Sequence, residues 1–209
     1  MEDVVSEDIN LTLPRNFICH PMITATADRS KLSNAQLMMN ISAILVLGSV
    51  KAKEVDISIN TIRRARKHSR QIMSRSIISE FKTKVKSDYL TLHWDGKLMK
   101  QLSGKKFDYL TVLVRGSPNC PEGKILSIKP IQSGTGVSIC RGILEDLEEW
   151  DLKKNIVAQV FDTTACNTGV RNGAATLLEE TKSMKTLLWL ACRHHVLELI
   201  LGSFCNALF

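Results

Sequence analysis

Two aspartates occupy matched positions, each directly after a segment with the pattern of a β-strand. Asp95 follows the alternating segment 86–94, and Asp162 follows the apolar segment 155–161. Side chains beyond the carboxyl ends of neighbouring strands in an α/β sheet meet at one edge. Two carboxylates there suit Mg²⁺ or Mn²⁺, the ions that position a phosphodiester for phosphoryl transfer. We therefore predict that Asp95 and Asp162 are metal-ligating, catalytic residues, although either one alone also fits a turn or helix-cap residue.

Cysteine and histidine offer a second kind of chemistry. Cys192 and His195 have the Cys-x-x-His spacing of half a zinc site. A structural zinc site needs four ligands, and the available completions, which have no ligand spacing of their own, are His194, Cys166 and Cys205. Zinc is therefore not expected. The six cysteines include no Cys-x-x-Cys pair, which is typical of free thiols in a reducing, intracellular compartment.

A basic stretch precedes these residues. The window 61–86 contains nine lysines or arginines and one acid, Glu80, so it carries a net +8 in a chain whose total is +7. Such a stretch on an otherwise nearly neutral chain is typical of a surface that binds a polyanion such as DNA. Its one aromatic residue, Phe81, favours phosphate contacts over base stacking. A solvated helix face or a linker is the alternative. The predicted DNA contacts are Arg63, Arg64, Arg66, Lys67 and Arg70.

Hydrophobic periodicity predicts the elements that position these residues. Apolar residues at helical spacing predict one helix over 33–48 and a second from Asp56 or Ser58 to about Phe81. From residue 85 onward the pattern changes to strands and helices in the order βββαβαβα, which predicts an α/β fold with a mixed sheet flanked by helices. The last helix, 194–208, is expected to turn four side chains inward. They are Val196, Ile200, Leu201 and Phe204.

The 209-residue chain divides into three predicted regions. Residues 1–32 are polar and expected to be irregular, 33–84 form the basic helical segment, and 85–209 form the α/β core. A hydrophobic share of 44% is enough for such a core. The most apolar run, 41–50, has ten residues, whereas a membrane-spanning helix needs roughly 20. No membrane association is therefore expected.

Three short segments around the predicted strand ends carry further motifs. They are LHWDGK at 92–97, FDTTACNTG at 161–169 and ACRHH at 191–195. In this order they resemble the catalytic-core blocks of cut-and-paste DNA transposases of the hAT-like group, and the resemblance covers about 85–209. It implies a ribonuclease H-like fold, DNA transposition chemistry dependent on Mg²⁺ or Mn²⁺, and a role for Asp95 and Asp162 as the metal ligands.

The resemblance extends to three further residues. The hAT-like group follows its second aspartate with an Asn-bearing turn and helix, and then with Cys-x-x-His at the end of the next strand. Asn167, Cys192 and His195 match these places. The resemblance implies that the cysteine and the histidine serve the architecture of the core.

The third catalytic acid departs from the resembled pattern. The group needs a glutamate, usually beyond a helical insertion that follows Cys-x-x-His, and this chain ends at Phe209. The core is therefore expected to be truncated at its C-terminus. Glu198 is the candidate for the third catalytic acid, because 35 residues separate it from Asp162, a spacing that integrase-like enzymes use. Glu198 also fits an exposed helix residue.

These observations lead to one functional hypothesis with two alternatives. We predict a transposase-derived, DNA-binding protein whose phosphoryl-transfer core is catalytically incomplete. The first alternative is a non-enzymatic DNA-binding remnant of a transposase, and the second is a protein-interaction domain. DNA and a second copy of the chain are the predicted partners, and the nucleus is the predicted location.

Overall fold

A computed structural model describes residues 13–14, 16–48, 57–100, 104–181 and 186–208. The chain forms two compact units, Met1–Ser79 and Glu80–Phe209. Across these described residues, no helix is long and apolar enough to cross a membrane.

The first unit is helical. A 3₁₀ turn at Phe17–Cys19 precedes α1 (Pro21–Arg29), α2 (Asn34–Leu47) and α3 (Ile59–Lys84), whose last turns belong to the second unit. The helices bury one cluster of apolar side chains, spaced along α2 at every fourth residue. Its members are Phe17, Ile18, Ala27, Leu37, Ile41, Leu45, Ile62 and Ala65.

The helix starts follow local capping chemistry. The Ser33 hydroxyl accepts from the Gln36 N–H at 3.2 Å while the Gln36 side chain accepts from the Ser33 N–H at 2.9 Å, a reciprocal capping box. Ser58 rather than Asp56 caps α3 in the described residues, since its hydroxyl accepts from the Thr61 N–H at 3.1 Å. Asp56 itself lies outside the described residues.

The expectation that residues 1–32 are irregular is wrong for α1. Pro21 occupies the first helical position, where a missing N–H costs nothing and the fixed φ favours the helix. The His20 ring accepts from the Met22 N–H at 3.3 Å and completes the cap. Residues 1–12 and 15 lie outside the described residues.

The second unit contains a five-stranded mixed sheet, which confirms the predicted α/β class. The strands are β1 (Leu90–Lys100), β2 (Lys106–Gly116), β3 (Cys120–Ile131), β4 (Ile156–Phe161) and β5 (Leu188–Ala191). They lie in the order β3-β2-β1-β4-β5. β1 pairs antiparallel with β2, and β2 with β3, whereas β1 pairs parallel with β4, and β4 with β5. The helices are α4 (Gly136–Glu149), α5 (Ala165–Thr168), α6 (Ala174–Glu180) and α7 (Arg193–Leu208).

One face of this sheet is covered and carries the core. Alternate side chains of β1 and β2 are buried there, and α4 adds apolar side chains at four-residue spacing. Gly136 opens α4 where a Cβ would overlap the Asn172 and Cys166 carbonyl oxygens, so only glycine fits this close approach. The buried side chains are Leu90, Leu92, Trp94, Leu110, Val112, Val114, Ile139, Ile143 and Leu147.

Three expectations for this unit are corrected. β1 continues to Lys100 because residues 95–100 pair antiparallel with β2, so Asp95 lies inside the strand rather than after it. The single helix that the order βββαβαβα predicts between β4 and β5 is divided into α5 and α6, since the chain turns tightly between Gly169 and Gly173, where a Cβ on Gly173 would press against the Gly169 backbone.

The third correction concerns α7. No residue of this helix is buried, although four of its apolar side chains were expected to face inward. Leu201 and Phe204 are 62% and 61% exposed. Periodicity predicts which side of a helix favours an apolar neighbour, but it does not supply that neighbour.

Candidate functional site

The strand register places the two predicted aspartates close to the end of the parallel ladder between two neighbouring strands. In the parallel ladder of β1 and β4, His93 is paired with Val160. Asp95 and Asp162 are each two residues further along their chains. Asp95 is still within β1, so its side chain shares the face of His93, whereas Asp162 directly follows the last residue of β4. The two aspartates therefore lie just beyond the last parallel pair of two adjacent strands.

The Asp162 carboxylate is held on one side by its own loop. Oδ1 accepts from the Thr164 hydroxyl at 2.6 Å and from the Thr164 N–H at 3.3 Å. The Asn167 side-chain amide also donates to Oδ1, and to the Asp162 carbonyl oxygen at 3.3 Å. No described residue donates a hydrogen bond to Oδ2. This arrangement fixes the carboxylate orientation and leaves one oxygen free to bind a ligand.

Asn167 is itself held by the core. The Trp94 indole N–H donates to Asn167 Oδ1 at 2.9 Å, and both residues are buried. The Trp94 ring stacks on Phe161 at 4.7 Å between centroids. Trp94 and Phe161 directly precede the two aspartates in sequence. The residues that carry the carboxylates are therefore anchored through their neighbours on the covered face of the sheet.

A divalent ion held by these two aspartates stays a prediction. Mg²⁺ and Mn²⁺ are commonly bound through one or two carboxylates with water molecules in the remaining positions. The Asp95 side chain is exposed and makes no hydrogen bond to the part of the chain that the structure describes. Asp162 is half-buried, and these two carboxylates are the candidate ligands. Within the described ranges, no group of three or more His, Cys, Asp or Glu side chains is arranged to hold a metal.

The remaining predicted site residues lie at the start of α7. Glu198 is exposed, and His195 is half-buried. Cys192 is half-buried and lies between β5 and α7, where its N–H donates to the Phe161 carbonyl at 2.8 Å and its carbonyl accepts from the Val196 N–H at 3.1 Å. The backbone of Cys192 therefore connects β4 to the helix start. The catalytic role of Glu198 stays a prediction.

Sequence reasoning missed a pocket on the uncovered face of the sheet. It has a volume of about 410 Å³, and its polar lining includes His93, Arg115 and Ser117. Burial, together with the nearby Arg115 charge, lowers the pKa of His93. The alternation of β1 was the available signal, because His93 and Asp95 share a face. The sequence pattern pointed to Asp95 near the expected strand end and not to His93 within the strand.

The basic helix α3 divides into exposed and inward-facing cations. Arg63, Arg64 and Lys67 are exposed, as a phosphate-contacting face requires. Arg66 is only 7% exposed, so it is directed into the first unit and away from any ligand. Arg70 is exposed but engaged, since its Nε donates to Asp28 Oδ2 at 2.8 Å.

Asp28 joins the two engaged arginines. The Arg66 guanidinium donates to Asp28, to the Asn34 side chain at 2.8 Å and to the Leu32 carbonyl at 3.0 Å. Hydrogen bonds from Arg70, and then from Arg66, hold the pKa of Asp28 well below its usual range. The same bond to Asp28 raises the pKa of Arg70. This cluster ties α1 to α3, so Arg66 and Arg70 have a structural role that their spacing did not show.

Two comparisons of this chain with known proteins found no match. No model of a known protein family matches the chain. No curated protein matches it either. The chemistry of the site is therefore assigned from its own residues and their contacts.

Replacing Asn167 by leucine is expected to loosen the Asp162 carboxylate. The change leaves the buried Trp94 indole N–H without its acceptor, which costs about 1–3 kcal/mol of stability. Residues that orient metal ligands typically contribute about 10- to 100-fold to metal affinity, so we expect at least a 10-fold loss of Mn²⁺ affinity by calorimetry. Thr168→Val is the control, since it removes a 3.1 Å hydrogen bond to the Thr164 carbonyl without touching Asp162. Equal Mn²⁺ affinity in both variants would contradict the assignment.

Proposed function

We propose that the second unit is a ribonuclease H-like core of the kind found in hAT-like transposases and that this protein is a transposase-derived DNA-binding protein. The observation that carries the proposal is the register of β1 and β4, in which Asp95 and Asp162 are each two residues beyond the last parallel pair, His93 and Val160. The strand order, with two antiparallel and two parallel pairings, supports it.

The residues of the site have separable roles in this proposal. Asp95 and Oδ2 of Asp162 hold the ion. When bound, Mg²⁺ or Mn²⁺ supplies Lewis-acid stabilisation of charge on a phosphodiester oxygen. Asn167 and Thr164 keep Oδ1 occupied, so that the orientation of Asp162 need not be established during binding. The exposure of Asp95 leaves the site open to a DNA strand.

The first unit supplies the proposed DNA affinity. Arg63, Arg64 and Lys67 are exposed on α3 and form no ion pair with any described residue. When unpaired cations on one helix neutralise phosphates, the counterions condensed on the DNA are released, and this release favours binding. Nuclear location and self-association are part of the same proposal.

A non-enzymatic DNA-binding role is the second candidate. The observation that favours it is the exposed basic face of α3, which can bind DNA without any reaction at the carboxylates. A second ion that stabilises a leaving oxygen needs negative ligands beyond two carboxylates to offset its desolvation. The protein is therefore expected to bind one ion weakly and to cleave DNA poorly.

Mn²⁺ titration of the full chain, with a parallel nicking assay on plasmid DNA, tests the proposal. We expect one weak Mn²⁺ site that Asp95→Asn and Asp162→Asn each weaken by at least about 10-fold. Glu122→Gln is the matched control, because it removes one exposed acid from β3. Mn²⁺ affinity unchanged by both Asp variants would overturn the metal site. Strong cleavage that Glu198→Gln abolishes would overturn the incomplete core and make Glu198 the third acid.

A further inference from the structure

The open pocket on the sheet has the groups of an anion site. It is lined on β1 by Thr91 and His93 and on the β2–β3 side by Arg115 and Ser117. Val160 and Leu190 supply the apolar wall from β4 and β5. A guanidinium, an imidazole and hydroxyl groups together present several hydrogen-bond donors to one concave surface.

The charge in this pocket is uncompensated. Within the described residues, Arg115 forms no ion pair or hydrogen bond with another side chain, and neither ring nitrogen of His93 has a hydrogen-bond partner. The unpaired Arg115 guanidinium lies in the same pocket as the half-buried His93 imidazole, and an anion bound there would neutralise its charge. Arginine is the side chain best shaped to bind phosphate oxygens through two parallel donors.

The position of the pocket identifies the class of anion. His93 precedes Asp95 by two residues, and Val160 precedes Asp162 by two residues. Two residues along a strand span about 7 Å, so His93 adjoins Asp95 on the same face of β1. Arg115 is paired with Thr91, about 13 Å along the strand from Asp95. A DNA strand whose phosphodiester lay at the carboxylates would carry another phosphate toward this pocket.

We propose that Arg115, with His93 and Ser117, binds a backbone phosphate of a DNA strand that flanks the phosphate at Asp95 and Asp162. This inference rests on the proposed function, since it assumes that the carboxylate pair faces nucleic acid. The ligand is a phosphodiester within a strand rather than free phosphate. Apolar Val160 and Leu190 border the site and favour the sugar side of a strand over a fully hydrated ion.

Anisotropy titrations of the full chain with a labelled 12-nucleotide single strand, in Mn²⁺ buffer over a salt series, test this subsite. One phosphate contact contributes about 0.7 to the salt slope for a single strand, so Arg115→Gln is expected to flatten the slope by about that amount and to weaken binding several-fold. Arg115→Lys keeps the charge but loses the paired donors, so its salt slope and affinity are expected to lie between those of wild type and Arg115→Gln. Arg141→Gln is the matched control, since Arg141 is an exposed arginine on α4.

A second arm uses inorganic phosphate as the probe. We expect phosphate to shift the Arg115 side-chain N–H resonance only weakly, and the oligonucleotide to shift it at much lower concentration. Phosphate that binds as tightly as the strand would overturn the strand assignment. Arg115→Gln behaving like Arg141→Gln would overturn the subsite itself. Failure of the proposed metal site is distinguishable from failure of the phosphate subsite. It would appear as a Mn²⁺ affinity that Asp162→Asn does not change.

Discussion

Replacing Arg63, Arg64 and Lys67 together by glutamine is expected to flatten the salt dependence of duplex DNA binding by about 2.7. Each phosphate contact contributes about 0.9 to the slope of log K against log salt concentration for duplex DNA. At physiological salt, this corresponds to a loss of affinity on the order of 100-fold. Filter binding or anisotropy between about 50 and 200 mM salt measures both quantities.

The control for this prediction removes the same charge elsewhere. Three exposed cations of the second unit, replaced together by glutamine, are expected to change the slope by less than one contact. They are Arg141, Lys154 and Arg171. A slope that falls equally in both triple variants would show that net charge, and not the α3 face, drives binding. Arg66 is left out of the test variant because its removal would disturb the fold.

Replacing Asp28 by alanine is expected to destabilise the first unit by about 3 kcal/mol. Removing one partner of a buried ion pair typically costs about 3–5 kcal/mol, because the other charge is left buried without compensation. Arg66 is that buried charge, with a side chain 9% exposed, whereas the Asp28 side chain is 34% exposed. We therefore expect the lower end of the range. Urea unfolding followed by far-ultraviolet circular dichroism measures it.

Two further variants separate charge burial from general loss of contacts. Arg70→Gln is expected to cost less than about 1 kcal/mol, since its side chain is 56% exposed and exposed ion pairs contribute little. Adding Arg66→Met to Asp28→Ala is expected to recover much of the stability, because a buried pair replaced by apolar groups is often neutral. A double variant no more stable than Asp28→Ala would contradict this account.

Acid should weaken the same cluster in wild type. The Asp28 pKa is lowered in the folded protein, first by Arg70 and then by Arg66. Its stabilising contribution is therefore fully present above the ordinary Asp pKa of about 3.9 and is lost as pH falls below that value through the folded pKa. The stability difference between wild type and Asp28→Ala is accordingly constant near neutral pH and shrinks only below about pH 4.

Local chemistry made much of the second unit predictable. The alternation of Leu90, Leu92 and Trp94 predicted a strand with one buried face, and the structure buries those three side chains. The apolar run before Asp162 predicted β4, which ends at Phe161. Helix starts were recoverable because a capping hydroxyl acts within three residues, as Ser58 does with Thr61.

Tertiary pairing decided where the site residues lie. Asp95 is inside β1 because its hairpin partner on β2 extends the ladder, which no pattern local to 90–95 contains. Arg66 is directed inward because it forms an ion pair with Asp28, which is 38 residues away along the chain. His93 and Arg115 share a pocket because β1 and β2 pair in one particular register.

The predictable and the unpredictable features differ in how far apart along the chain the interacting residues lie. The sequence by itself determined the order of the five strands and the presence of α2, α3, α4 and α7, because periodicity and capping depend on neighbours a few residues apart. It also placed Asp162 after β4. Only the tertiary structure decided which cations of α3 stay exposed, that α7 has no buried residue, and that Asn167 links Trp94 to Asp162. Those outcomes depend on residues that are far apart along the chain and meet only when the sheet and the helices assemble.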